Sequence, residues 1–306
     1  MKHWVTYPLA GHPASAELLS KEAITRFAQT AEAAGFDGIG FTDHPAPTDR
    51  WLKAGGHDAL DPFVALTFVA AVTERIRLIP NICVLPYRNP FIVAKSIATL
   101  CMLSDDRFTL AAGTGYLRGE YRALGVDADE RNDRFDESLE VLRGIWTTDD
   151  FKHEGRFFTA LGQTANPKPS TPVPVWIGGN SAKARQRVAD SADGWNPFAA
   201  PAAVAKTSRT PALETVDDLA ELLDDLWRRV DAADRDRAAI DVAFMTPVGG
   251  DPASDDFDAD AHLGALDDLA ALGVTWNAIS VPADSLDRAL EALERYGRSV
   301  ITPSRS

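Results

Sequence analysis

The chain has 306 residues, 45% of them hydrophobic, a formal net charge of -14 and a pI near 4.8. That field repels nucleic acid and anionic membrane surfaces, which excludes both as partners. No apolar run reaches the ~20 residues needed to span a bilayer. The N-terminus MKHWVTYPLAGHP lacks the apolar core of a signal peptide, and Cys83 and Cys101 lie in apolar surroundings without metal spacing. A cytoplasmic protein with reduced thiols and no metal is expected.

In chain order, Trp4 to Leu9 reads as a first strand, and Ser15 to Ala34 as a helix with apolar residues at helical spacing. Gly35 sits at its C-cap, and Gly38-Ile-Gly-Phe-Thr is a buried strand that stops on Asp43-His44. Pro45 to His57 is a Pro/Gly-rich loop, long for a strand-to-helix connection and therefore a candidate lid. Asp61-Pro62 opens a helix to Thr73. The third strand, Ile76 to Pro86, carries Pro80 and Asn81, both poor strand residues. Asn89-Pro90 opens a helix to Ser104. A fourth strand from Arg107 then ends in Gly113-Thr114-Gly115. The charged connection Tyr116 to Asp129, with Arg118, Glu120, Tyr121 and Arg122, reads as a solvated face before a helix from Arg131 to Trp146.

Phe151 to Ala160 reads as a hairpin turning at Gly155. Pro174 to Ile177 is a fifth strand ending in Gly178-Gly179, followed by a helix from Ser181 to Ala192 and a sixth strand from Gly194. A second Ala/Pro-rich loop, Pro201 to Pro211, precedes an acidic helix over Thr215 to Ala233. Strands at Ile240 to Pro247 and Thr275 to Val281 alternate with helices at Asp260 to Leu272 and Leu286 to Arg298. Eight strands alternating with eight helices, with no composition break, predict an α/β fold: a single-domain (β/α)8 TIM barrel over 1–306 with loop insertions at its C-terminal mouth. A doubly wound sheet is the competing arrangement.

In a closed barrel the ends of strands 2 to 5 ring one mouth. They bring together Asp43, His44, Asn81, Ile82, Gly113, Thr114, Gly115, Gly178, Gly179, Asn180 and Ser181. Unusual residues at four successive strand ends point to a site rather than to packing. Gly178-Gly179-Asn180-Ser181, with Lys183, Arg185 and Arg187 behind it, is either a phosphate site at a helix start or a tight turn with a Ser N-cap. Gly113-Thr114-Gly115 serves either a ligand or close packing. His3, His12, His57, His153 and His262 show no ligand spacing and read as surface or loop residues.

FDGIGFTDH, RLIPNICVLPYRNPFIVAKSIATLCMLSDDRFTLAAGTGY and PVWIGGNSAKARQRVADSADGW, in this order, resemble the luciferase-like monooxygenase superfamily. Within it the chain is most similar to the coenzyme F420-dependent oxidoreductases. The resemblance implies a TIM barrel binding F420, or alternatively FMN, at its mouth. It implies a cis peptide at Asn81-Ile82 backing the cofactor ring, a cofactor phosphate at Gly178 to Ser181 helped by Arg185, and catalytic roles for His44 and Asp43. The F420 tail would follow Arg88, Arg118, Lys206 and Arg209. Where some relatives place a catalytic Glu after Gly-Thr-Gly, this chain has Tyr116. Hydride transfer to or from a small organic substrate is the implied activity, with an FMN monooxygenase or a non-catalytic flavin-binding barrel as alternatives. A homodimer through helix 61–73 is also implied.

Overall fold

The computed structural model describes residues 1–305. The chain enters through β1 (Lys2–Thr6), α1 (Lys21–Ala33) and β2 (Gly38–Phe41). A short α2 (Asp49–Lys53) lies inside the first long loop, before α3 (Pro62–Val72). The third strand is two pieces, β3 (Arg77–Pro80) and β4 (Cys83–Val84), and α4 (Pro90–Leu103) and β5 (Leu110–Gly113) follow. Next come α5 (Arg118–Ala123), α6 (Arg131–Thr147) and the hairpin β6 (Phe151–Glu154) with β7 (Thr159–Gln163). The second half runs β8 (Val175–Gly178), α7 (Ala182–Ser191), β9 (Gly194–Asn196), α8 (Ala202–Ser208), α9 (Val216–Ala232), β10 (Asp241–Phe244), α10 (Ala259–Ala271), β11 (Trp276–Ile279) and α11 (Leu286–Tyr296). A π-helical turn, Gly297–Ile301, takes over from α11 at Tyr296, two residues before the expected Arg298, and leads into a short α12 (Thr302–Ser304).

The nine strands outside the hairpin pair in parallel in the order β3-β2-β1-β11-β10-β9-β8-β5-β4. The barrel closes because the halves of the third strand face opposite neighbours: β3 pairs with β2, and β4 pairs with β5. A bridge between Leu78 and Phe108 completes the ring. The break falls at Asn81-Ile82, whose peptide bond is cis. Counted as one, the split strand makes a (β/α)8 barrel.

Helices start where polar caps allow. Asp61 Oδ1 accepts from the N–H groups of Phe63 and Val64 ahead of α3, and Ser181 Oγ accepts from Ala184 N–H ahead of α7. The barrel floor is filled by Trp4, Trp176 and Trp276 with Ile79, Ala111 and Ala243. Trp176 meets Trp276 edge-on at 5.2 Å between ring centroids, and Trp4 meets Trp176 at 6.3 Å. Such aromatic packing makes the lower barrel a core, leaving the mouth free for ligands.

Two histidines expected at the surface are buried instead. His3 and His262 flank the Tyr296 hydroxyl, which also takes a hydrogen bond from Asn277 Nδ2 at 2.9 Å. His262 Nδ1 must donate to Val248 O at 2.6 Å, so its Nε2 accepts from Tyr296 and His3 Nδ1 donates to the same hydroxyl. Burial, then the positive N-terminus, Arg305 and His262, push the His3 pKa from 6.5 down to about 3. The native imidazole thus stays neutral while the unfolded one binds a proton, so stability is present above about pH 6.5 and is lost as pH falls. We expect the urea-unfolding free energy to drop by roughly 1.4 kcal/mol per pH unit from this group between about pH 6 and 4. His3→Phe should flatten that slope by about one proton. An unchanged slope would show that His3 is not the responsible group.

Candidate active site

A cavity of about 310 Å³ opens at the C-terminal mouth of the barrel. Its wall brings together Asp43, His44, Asn81, Ile82, Gly113, Thr114, Gly115, Gly178, Gly179 and Ser181, from four strand ends. His57, Tyr116, Asn196, Arg187 and Arg209 also line it. Arg185 and Asn180 do not.

Ile82 explains the glycines of two strand ends. A Cβ on Gly113 would stand 2.3 Å from Ile82 Cδ1, and one on Gly178 would stand 2.5 Å from the same atom. The side chain beyond the cis bond therefore packs as a ledge against both strand ends, and a Cβ at either would force the Ile82 tip to move. Asn81 is held below it, its Nδ2 donating to Thr6 Oγ1 at 2.9 Å.

At the other end of the wall, His44 Nδ1 lies 3.2 Å from Glu120 Oε2. Glu120 has no solvent exposure. Its carboxylate also accepts from Tyr87 OH at 3.0 Å and Ala46 N–H at 3.1 Å. A carboxylate accepts only, so Nδ1 carries the proton and His44 Nε2 is left as the ring's free nitrogen. Burial, then the Glu120 charge and hydrogen bond, hold the Tyr87 phenol far above its ordinary range, so it stays a donor. The expectation that Glu120 and Tyr121 form a solvated face is thus overturned. Tyr121 is buried, and its hydroxyl donates to Thr114 O. No periodic signal marks Glu120: the helix Arg118–Ala123 is short, and Leu124, four residues on, is itself exposed.

Trp51 and His57 close over His44, with ring centroids at 4.6 and 5.1 Å, and Tyr116 stands at 6.2 Å. His57 Nδ1 donates to Asp58 O at 2.9 Å. Burial lowers the His57 pKa; the bond to Asp58 pulls it back up, His44 lowers it again, and Asp58 and Glu120 raise it. Its loop has no periodicity, so no sequence signal placed His57 here.

Asp43 is 3% exposed, and its carboxylate is committed elsewhere than to His44. Oδ2 accepts from Val84 N–H at 2.9 Å and Oδ1 from Arg88 at 2.8 Å. It ties the end of β2 to β4. Arg88 is shared with Asp61 and lines no part of the cavity, so it offers nothing to a cofactor tail there.

The α7 end differs in detail from expectation. Gly179 N–H is taken by Asn196 O and Asn180 N–H by Thr210 Oγ1. The Asn180 side chain pairs with Phe198 and Pro211, pinning the α8 strap. Arg185 is buried against Asp225 at 2.7 Å and donates to Asn180 O, so it holds the turn together rather than facing a ligand. Lys183 and Arg187 both bind Asp136 of α6. What remains for an anion is the first-turn N–H groups of Ala182 and Lys183, with the Ser181 hydroxyl. On the Tyr116 side of the mouth, Arg118, Arg131 and Arg209 share a niche of about 50 Å³ with Thr114, Gly115 and Tyr116, which also line the main cavity. Arg118 also pairs with Asp129 across this region. Among the described residues no cluster of His, Cys, Asp and Glu could hold a metal.

The family model for luciferase-like monooxygenases matches residues 2–298. An uncharacterized protein of Mycobacterium tuberculosis is 32% identical over 256 residues, covering 83% of this chain and 79% of the relative. An F420-dependent glucose-6-phosphate dehydrogenase of Segniliparus rotundus is 32% identical over 193 residues, covering 60% of this chain and 55% of the relative. Several other matched relatives are covered over just under two thirds of their length, at 66%. Among solved structures, the monooxygenase RslO1 from Streptomyces bottropensis superposes with a TM-score of 0.81, at 19% identity and over 100% of both chains. The chain belongs to the luciferase-like monooxygenase family.

Proposed function

We propose that the chain binds coenzyme F420 and transfers a hydride between its deazaflavin and a small organic substrate, with His44 moving the accompanying proton. The observation that carries this reading is the His44–Glu120 pair at one end of a cavity whose other end is a helix start and whose floor is the Ile82 ledge. These residues fit a flat ring with an anionic tail: a bare ledge between Gly113 and Gly178, and unpaired donors in the first turn of α7. The F420-dependent name of the S. rotundus relative supports the choice of cofactor. When bound, the deazaflavin supplies the carbon that gives or takes the hydride.

The chain's own residues do the rest. Ile82 and Asn81 support the ring, while Ser181 and the α7 turn hold the phosphate. Glu120 fixes the His44 tautomer, so that Nε2 exchanges the proton with substrate. Trp51 and His57 cover this end and limit water. With Tyr116 where some relatives have a catalytic Glu, Glu120 four residues later is the acid that reaches His44.

FMN would use the same ledge and turn but ends at its phosphate, whereas the F420 tail reaches further, toward Arg118, Arg131 and Arg209. Titration of the purified protein is therefore expected to show F420 binding that weakens as salt rises and by roughly 3–10-fold in Arg209→Ala, with FMN responding less. Equal salt dependence, or tighter FMN binding throughout, would favour the monooxygenase.

A homodimer belongs to the same proposal, with a revised face. Phe63, Leu66 and Val69 of α3 are spent in the chain's own core, but Val64 and Ile92 are 72% and 68% exposed on α3 and α4. Light scattering at micromolar protein should give twice 33.1 kDa. Val64→Lys combined with Ile92→Lys should return the monomer mass.

A further inference from the structure

We propose that the N-terminal end of the barrel, opposite the mouth, carries a second binding site, one that takes a phosphate dianion or the phosphate group of a small ester. The site is independent of the cofactor reading above. A cavity of about 450 Å³ opens there and shares no lining residue with the mouth cavity. Its walls come from the first residues of β1, β3 and β11, the turn between α1 and β2, and Arg305. Strand side chains alternate, so Lys2 shares the inward face of β1 with Trp4, and Arg77 that of β3 with Ile79. Trp4, Ile79 and Trp276 belong to the aromatic floor. Lys2 and Arg77 therefore stand beneath that floor, on the side away from the mouth.

The charge in this cavity is not balanced from within. Four cations line it, Lys2, Arg75, Arg77 and Arg305, against two carboxylates, Glu32 and Asp37. Both carboxylates are tied down. Glu32 Oε1 accepts from the N–H groups of Glu74, Arg75 and Ile76 at 3.0, 2.6 and 2.9 Å. Asp37 takes Arg305 on both oxygens and the His3 N–H on Oδ2, so Arg305 is spent. The other three cations make no ion pair among the described residues.

Lys2 Nζ sits 5.0 Å from the centroid of the Trp276 ring. Arg75 is exposed; it gives Glu32 its backbone N–H, and its guanidinium acts on that carboxylate only through space. Arg77 donates through Nε and Nη2 to Thr109 Oγ1 and through Nη2 to Phe108 O. Those bonds hold the fork in place and leave Nη1 uncommitted. Asp241 acts on Arg77 from β10, but it lines no part of the cavity and accepts from the Thr275 hydroxyl. The cavity thus keeps an excess of two positive charges in a chain whose net charge is -14. A fixed guanidinium offers one directed donor, and the longer-reaching Arg75 and Lys2 add charge beside it. That set matches a tetrahedral dianion, whereas a carboxylate would meet only half of the excess.

Arg77 also ties the third strand to the fourth, so the test leaves it intact and changes Lys2 and Arg75. The intact chain, at fixed ionic strength, is treated with phenylglyoxal and with an amine-acetylating reagent, and each modified residue is quantified by peptide mass spectrometry. The probes are inorganic phosphate, pyrophosphate and glycerol 3-phosphate, with chloride and acetate as controls. The phosphate probes at about 10 mM should slow modification of Arg75 and Lys2 at least ~5-fold, and the controls should not. Equal protection by phosphate and glycerol 3-phosphate assigns the site to the phosphate group alone; stronger protection by the ester means that its organic part is held as well. Pyrophosphate should also raise the Tm, and Lys2→Gln combined with Arg75→Gln should remove most of that rise. Unprotected Arg75 and Lys2, or equal protection by chloride or acetate, overturns the proposal. A Tm rise that survives the double variant does so too, because it places the anion elsewhere, and protection of Arg209 would then mark the mouth.

Discussion

His44→Ala is expected to lower turnover by ~10²–10⁴-fold at saturating cofactor while leaving cofactor affinity within a few-fold. The imidazole is the group at the cavity wall whose free nitrogen faces away from a buried carboxylate, and it makes none of the contacts assigned to the ring or phosphate. Removing it deletes the proton path but leaves the Ile82 ledge and the α7 turn intact. Glu120→Gln separates positioning from proton transfer. The amide can still meet Nδ1, but it no longer fixes which nitrogen is protonated, so the pH profile of kcat should shift while KM for cofactor stays put. Stopped-flow reduction across a pH series, with a parallel cofactor titration, measures both. A His44→Ala protein that binds cofactor poorly yet turns over normally at saturation would remove the role.

The second large effect is on stability. Asp43→Ala should cost about 3 kcal/mol, because it strips a buried carboxylate from Arg88 and from the Val84 N–H at once. Asp61 still holds the other side of Arg88, which places the loss at the lower end of the range for broken buried pairs. Asp43→Asn keeps an acceptor for Val84 and should lose less. Urea unfolding of the three proteins decides the matter. A loss below about 1 kcal/mol in Asp43→Ala, together with abolished turnover, would return Asp43 to the chemistry.

The barrel and its mouth were legible because strand ends that serve a site carry residues a plain strand avoids. Pro80-Asn81, the paired glycines and Asp43-His44 each break a local rule, and they break it at the same height of the barrel. Side-chain partnerships were not legible. Arg185 reads as a free cation until Asp225, forty residues on, is folded against it, and Lys183 and Arg187 are likewise spent on Asp136. Glu120 was obscured by the arginines around it, which point outward from a helix too short to show a period. His3 and His262 were misread because their common partner, Tyr296, is distant in sequence from both. The two long loops each contain a short helix, α2 and α8, whose few residues carry no repeat to detect.

The tryptophan floor has an optical consequence. Trp4, Trp176 and Trp276 pack within a few ångströms of one another, and Ile82 rests on that same cluster. A conjugated ring seated on Ile82 is thus separated from three indoles by one aliphatic side chain. Excitation absorbed anywhere in the trio can pass among its members and then across that single layer to the ring. Ultraviolet emission from the protein should dim as the mouth fills, so the unlabelled chain reports its own occupancy.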